Sequence, residues 1–401
     1  MWKDFKQKYL INFWNPFYSI LLIGILSAYY FGITGSAWAV TGEFTRWGGE
    51  ILQLFGIQTK QWEYFQIIGL EGSIFTRKDG VMIIGMFLGA MIATLFANGF
   101  KIRVPKSKIR ITQALVGGII AGFGARLGMG CNLASFFTGI PQFSLHAWFF
   151  TLMSIVGVYV GTKVIKLSFL QTHISLKAGA SLKPIKKDHS KLSFFLGILV
   201  LFGSIIWIIT LMQQDTFKPK LSVLGIATLF GLIFGFVIAR AQICFTSAFR
   251  DLFLTGRGLV ARAIILGMFI STLGVFIFIM LGIPPKIVWA GPNVIIGGFL
   301  FGLGIVIAGG CECGWMYRAM EGQVHYVIVG IGNLIGSILL AYTWPLYSQV
   351  LAKDYPRINL LESFGNYGGL FINYIFLILF LCFILFLEKK IQIRIKKELK
   401  Q

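Results

Sequence analysis

The run VGGIIAGFGARLGMGCN, residues 116–132, returns 180 positions on as IGGFLFGLGIVIAGGCE, residues 296–312. Val116-Gly117-Gly118 falls on Ile296-Gly297-Gly298, Gly122 and Gly124 on Gly302 and Gly304, and Gly130-Cys131 on Gly310-Cys311. Each copy is apolar and glycine-rich, and each ends at a cysteine followed by polar and aromatic residues. A helix that simply leaves a bilayer does not end this way, so the chain is expected to re-enter the membrane after each cysteine. Non-helical backbone at that depth is tolerated only where it is buried in protein or lines a cavity.

The composition supports this setting. Charged residues are 13% of the 401, where a soluble domain carries about a quarter, and apolar residues are 56%. Apolar stretches at 16–33, 81–98, 113–131, 145–165, 192–212, 221–240, 263–282, 293–310, 324–344 and 368–388 approach or exceed the roughly 18 to 20 residues that cross a bilayer. They are too long and too uniformly apolar for barrel strands, which alternate over about 10 residues. The fold class is therefore an all-α polytopic membrane protein of nine or ten transmembrane helices plus short re-entrant helices. Residues 1–9 are basic and no small-residue cleavage site follows the first apolar run, so no cleaved leader is expected.

The net charge of +21 invites a nucleic-acid reading. The Lys and Arg residues fall instead in short connections: Lys3, Lys6 and Lys8, then 101–110, 163–191, 250–262 and 389–400. With ten crossings all of these lie on one side, the cytoplasmic side by the positive-inside pattern, together with both termini. No region is large enough for a soluble nucleic-acid-binding domain. The matched copies are separated by an odd number of crossings, so the second enters the membrane the opposite way round. Inverted repeats of this kind place a transport site near the midplane, where they meet. The expected division is 1–191 for the first membrane repeat and 192–401 for the second, within one integral domain.

Five cysteines without a CxxC pair do not form a disulfide framework, and Cys311-Glu312-Cys313 offers too few ligands for zinc. No metal or cofactor is expected. A thiol is a weak S–H donor and a soft, polarisable group, suited to a soft sulfur or selenium anion. Cys131 and Cys311 share their Gly-Cys setting. Cys244 lies between Arg240 and Arg250, and ionisable residues beside a span are functional candidates. Arg126 precedes the first Gly-Cys and could attract an anion or pair with Glu43 or Glu50. Arg318 and Glu321 stand three apart, suited to pairing on a helix. Cys313, Glu312, Asn132 and Gln323 are candidate cavity-lining groups, and His146 and His325 occupy nearly matching positions. Cys382 sits in a plain apolar run and reads as packing.

The stretches 124–134, 239–251 and 308–311, with Glu-Phe-Thr-Arg-Trp-Gly-Gly at 43–49 and the run at 136–148, resemble the YeeE/YedE family of sulfur-compound membrane transporters. The resemblance runs nearly end to end and is strongest to the YedE branch, which is associated with selenium metabolism. It implies a bacterial inner-membrane protein in which a small anion passes between cysteines through S–H hydrogen bonds. Cys131, Cys311 and Cys244 match the family's cysteine motifs. Thiosulfate-transporting members can carry a further cysteine near the first span; here the region 35–46 offers Thr and Glu instead. A TusA-like sulfur-carrier protein is an implied partner.

The expected function is uptake of a small sulfur- or selenium-containing anion. Cys131 serves the outer side, Cys311 the inner side, and Cys244 with Arg240 and Arg250 the centre or exit, with Arg126, Cys313 and Glu321 along the path. The alternative is a membrane sulfur- or selenium-transferase holding a cysteine persulfide. No general base accompanies the thiols, which argues against an enzyme.

Overall fold

The computed structural model describes residues 2–171, 190–216 and 223–398. Parts of the basic connections at 163–191 and 389–400 lie outside the described residues. The described chain is helical without strands, and ten of its helices are long and apolar enough to cross a membrane. In chain order, with the short helices that matter to the site, they are α1 (Pro16–Thr34), the short α2 (Thr41–Leu54), α3 (Lys78–Phe96), α4 (Lys108–Leu127), the short α5 (Asn132–Ala134), α6 (Leu145–Val164) and α7 (Ser190–Thr216). The rest are α8 (Leu224–Ala241), the short α9 (Phe245–Thr255), α10 (Leu259–Met280), α11 (Pro292–Ala308), the short α12 (Glu312–Met320), α13 (Val324–Thr343) and α14 (Asn366–Glu398). All ten apolar stretches read from the sequence coincide with these long helices, so the count is ten and the nine-helix option falls away.

One order of elements occurs twice: span and short helix, span, span and short helix, span, span. The packing repeats with it. α3 lies on α8 as α10 lies on α1, α13 lies on α4 as α6 lies on α11, and α4 and α11 cross each other at the centre. The matched glycines explain this closeness. A methyl carbon at Gly124 would fall 2.4 Å from the Phe301 nitrogen, and one at Gly304 the same distance from that of Ala121. Lipid tails are as apolar as these helices, so their association rests on close backbone packing, which small residues permit. Gly118 and Gly298 likewise touch the backbone of Val329 on α13 and Phe150 on α6.

Local signals set the ends. Pro16 opens α1 after Asn15, whose side chain accepts a hydrogen bond from Phe17 N at 2.9 Å, and Gly35 closes it with φ 62°. At a rise of about 1.5 Å per residue, the 33 residues of α14 exceed a hydrocarbon core of about 30 Å, and its basic last turns extend past the bilayer on the face that holds the chain termini.

Candidate functional site

Three cysteines sit in one local design. A span ends, a residue two positions before the cysteine turns left-handed, the cysteine is extended, and a short helix starts. The turning residues are Met129 (φ 56°), Gln242 (φ 51°) and Gly309 (φ 80°). A left-handed Met or Gln is uncommon and is held only where surrounding structure demands it. Cys131, Cys244 and Cys311 then cap α5, α9 and α12. Their carbonyls accept from Ser135 N at 2.8 Å, Ala248 N at 3.1 Å and Trp315 N at 2.8 Å. α2 completes the set of four: Val40 stands in the capping place, its carbonyl accepting from Phe44 N at 3.2 Å, and Thr41 follows it.

The four short helices bring their starts together. Cys131, Cys244, Cys311 and Cys313 are all buried, and all are free thiols. Cys244 Sγ lies 3.9 Å from Cys311 Sγ. Backbone donors surround the pair: Cys311 Sγ faces the Thr246 N–H on α9, while Cys244 Sγ faces the Ser247 N–H of its own short helix and the N–H of Cys311. Helix N-termini favour negative charge, so this pair sits where an anion is stabilised. Cys131 lies on the other side of the cluster, against Thr41 and the buried Glu312. Thr41 Oγ1 donates to Glu312 Oε2, and Asn333 Nδ2 donates to Oε1 at 3.3 Å. Cys313 is buried in the first turn of α12, two residues past Cys311.

A vestibule approaches this cluster from each face. The one opposite the termini has a volume of about 450 Å³ and is lined by Arg46, Arg126, Lys286 and Arg357, with Asp79 as its carboxylate; its floor includes Met129 and Gly130, next to Cys131. The Arg126 guanidinium points there. Arg126 is 5% exposed, has no ion pair among the described residues, and its Nε has no hydrogen-bond partner. On the terminus face a cavity of about 510 Å³ is lined by Arg110, Gln113 and Arg250 and ends at Gly309, two residues before Cys311. Each vestibule thus stops at the left-handed turn of a Gly-Cys unit, and the thiols fill the interval.

The structure separates several expected partners. Glu43 pairs with Arg46 at 3.0 Å and Arg77 at 2.6 Å, and Glu50 pairs with Arg77 at 2.7 Å, so neither carboxylate meets Arg126. Arg318 does not meet Glu321: it donates to the Tyr326 hydroxyl at 2.7 Å and the Gly309 carbonyl at 3.3 Å. Glu321 accepts from Gln242 at 2.6 Å and Gln323 at 2.8 Å, at the mouth of a smaller cavity beside Arg240. Arg240 turns away from Cys244, donating to the carbonyls of Ile11 at 2.7 Å and Asn12 at 2.6 Å and stacking over Phe13; it ties down the N-terminal segment. Arg250 lines the terminus-face cavity but pairs with adjacent Asp251 at 3.0 Å. His146 bonds Ser144 at 2.5 Å and His325 the Ala308 carbonyl at 2.9 Å, so they hold local turns and do not face one another. Cys382 lies exposed on α14. Among the described residues no group of His, Cys, Asp and Glu suits a metal ion.

The site also contains residues that the sequence reading passed over or left in the background. Thr41, Asn333 and Arg318 all touch its groups, and Glu312 is central to it. Thr41 belongs to the region 35–46, which offers Thr and Glu in place of a cysteine, and the recurrence of span and short helix singles it out.

Ten membrane-spanning helices around a buried polar centre, with a vestibule on each face, are the build of a multi-pass membrane transporter. The chain belongs to the sulphur transport family, which matches residues 2–160 and 240–401. It is 55% identical over 392 residues to the probable transporter YedE of Escherichia coli strain K12, a match covering 97% of this chain and 96% of that one. It is also 36% identical over 127 residues to the thiosulfate transporter TsuA of the same organism, covering 31% of this chain and 33% of that one. A match to TsuA of Spirochaeta thermophila, 39% identical over 79 residues, covers 20% and 24%.

Proposed function

We propose that this protein carries a small sulfur- or selenium-containing anion across the bacterial inner membrane by passing it between buried thiols. One observation carries the reading: two vestibules on opposite faces stop at Met129 and Gly130 and at Gly309, next along the chain to Cys131 and Cys311, and the buried Cys244 lies 3.9 Å from Cys311. The anion is drawn in by Arg126 and Lys286, accepts S–H hydrogen bonds from Cys131, and moves past Cys313 to Cys244 and Cys311. It leaves past Arg250 and Arg110. A soft S–H donor holds such an anion less firmly than an ammonium group, so release needs little motion. Glu321 and Arg240 lie by a side cavity and Arg240 acts as a structural anchor in this scheme.

The proposal includes two inverted repeats in one membrane domain. The sequence draws the line at 191/192; the recurring element order supports a seam on the far side of α7. Both termini and the basic connections are assigned to the cytoplasm, which makes the Arg126 vestibule the outer one. A TusA-like carrier is the proposed recipient at the inner mouth.

The test is uptake into proteoliposomes of labelled thiosulfate, selenite and selenide side by side. Saturable uptake of one or more of them, lost in Cys131→Ala and Cys311→Ala, is the expected result. Normal uptake by both variants would rule out the relay. The second reading, a transferase holding a persulfide, is favoured by the N–H groups around Cys244 Sγ. A persulfide found on Cys244 by mass spectrometry after substrate exposure, without accumulation inside the vesicle, would select it.

A further inference from the structure

The largest cavity described lies away from the thiols. It opens between α6 and α14 on the terminus face, with a volume of about 720 Å³, and α9 packs against both helices to form its back wall. Its lining is graded. Towards the membrane centre are Val156 and Tyr159 of α6, Phe253 of α9, and Phe383 and Leu387 of α14. Towards the terminus face are Lys163 and Lys166 after the same turns of α6, and Lys390 and Lys397, with Arg394, on the same side of α14. The α14 residues recur three or four apart, so they form one stripe that is apolar at one end and basic at the other. Among the described residues no carboxylate lines the cavity. Val156, Tyr159 and Phe383 are each close to half exposed, and Tyr159 meets Phe253 edge-on at 5.3 Å.

We propose that this cleft binds an anionic phospholipid of the leaflet on the terminus face. The apolar floor takes the acyl chains, and the lysines gather around the phosphate. Two features commit the site to a lipid. The polarity gradient runs along the membrane normal, as it does in a phospholipid, and basic pockets between transmembrane helices attract acidic head groups. A soluble anion would use the lysines and leave the aromatic floor without a role. The proposal does not depend on the substrate of the thiol site.

The test is native mass spectrometry of the full chain in detergent, titrated with phosphatidylglycerol or with phosphatidylcholine of the same chains. The expected result is binding of phosphatidylglycerol about tenfold tighter or more. Lys163→Gln, Lys390→Gln and Lys397→Gln combined should abolish the preference. Val156→Trp, which fills the floor, should weaken both lipids. A control triple, Lys101→Gln, Lys106→Gln and Lys108→Gln, should keep the preference. Equal binding of the two lipids by the unaltered chain, a preference retained by the first triple or lost in the control, or unaltered binding in Val156→Trp would each overturn the proposal. So would equal competition by glycerophosphoglycerol, the head group without chains, because that outcome assigns the lysines to a soluble anion.

Discussion

Cys244 and Cys311 come from different spans, yet their sulfur atoms lie 3.9 Å apart, with Cys311 Sγ facing the Thr246 N–H and Cys244 Sγ facing the N–H groups of Ser247 and Cys311. A small side-chain rotation brings two such thiols to bonding distance, about 2.05 Å between sulfurs. Mild oxidation with diamide is therefore expected to join them within one chain, removing two of the five titratable thiols and stopping uptake until dithiothreitol is added. Differential alkylation and peptide mass spectrometry identify the pair. A Cys244→Ser variant should resist the oxidant, and a crosslink that forms between other cysteines would contradict the geometry.

On the proposed path Cys131 and Cys311 stand at the two ends of the thiol series. A hydrogen bond to a charged group contributes about 1.5–3 kcal/mol, so removing one S–H donor should lower uptake roughly tenfold to a hundredfold. Cys131→Ala, Cys311→Ala and Cys313→Ala are expected to behave this way in proteoliposomes, with normal amounts of protein in the membrane. Cys382→Ala, on the outside of α14, should transport normally. Equal activity of Cys313→Ala and the unaltered chain would remove Cys313 from the path.

Much of this was legible along the chain, and the rest was hidden for physical reasons. Apolar length revealed all ten spans, because a bilayer imposes length on any helix that crosses it. The matched Gly-Cys units revealed the close crossing of α4 and α11, since glycine leaves its mark wherever backbones touch. Side-chain partners were another matter. Arg240 looks like a companion of Cys244 in sequence, yet the carbonyls that hold it belong to Ile11 and Asn12, far along the chain. Arg318 looks paired with Glu321 at three residues' spacing, but Glu321 opens the turn after α12 and is taken by two glutamines. Thr41 was legible only as part of the region 35–46, where Thr and Glu stand in place of a cysteine; its partner Glu312 lies far along the chain.

Arg126 and Glu43 lie near each other and should respond to mutation in opposite ways. Glu43 is fully buried and accepts from Arg46, Arg77 and Trp47. Neutralising it removes the fully buried carboxylate that both guanidinium groups share, leaving Arg46 with Asp79 and Arg77 with Glu50, and each hydrogen bond to a charged group that is weakened costs about 1.5–3 kcal/mol. Glu43→Gln is thus expected to lower the thermal unfolding midpoint of the purified protein. Arg126 has no such partner to abandon and faces the vestibule. Arg126→Gln should unfold at or above the normal temperature while the KM for the anion rises about tenfold or more, as expected for a lost charged hydrogen bond. A destabilised Arg126→Gln with unchanged KM would assign this arginine to the scaffold.

Lys286 gives the vestibule opposite the termini a charge that pH can remove. Its loop lies between α10 and α11, and its backbone N–H is held by Gln142 Oε1 at 2.6 Å. Enclosure by the vestibule walls, which strips water from the ammonium, lowers its pKa below the usual lysine value; Asp79 opposes this, and Arg126 and Arg46 add to it. The charged form exists below the pKa, so a lowered pKa means that the charge is lost at a lower pH than on a free lysine. Anion attraction falls with it. With thiosulfate supplied on the vestibule side, KM is expected to climb as pH is raised from about 7 to 10, ahead of the ordinary lysine value of about 10.4. Lys286→Arg should flatten the rise, because a guanidinium keeps its proton throughout this range. Lys286→Gln should begin with a raised KM and show little further change. A KM that climbs identically in all three proteins would place the titrating group elsewhere.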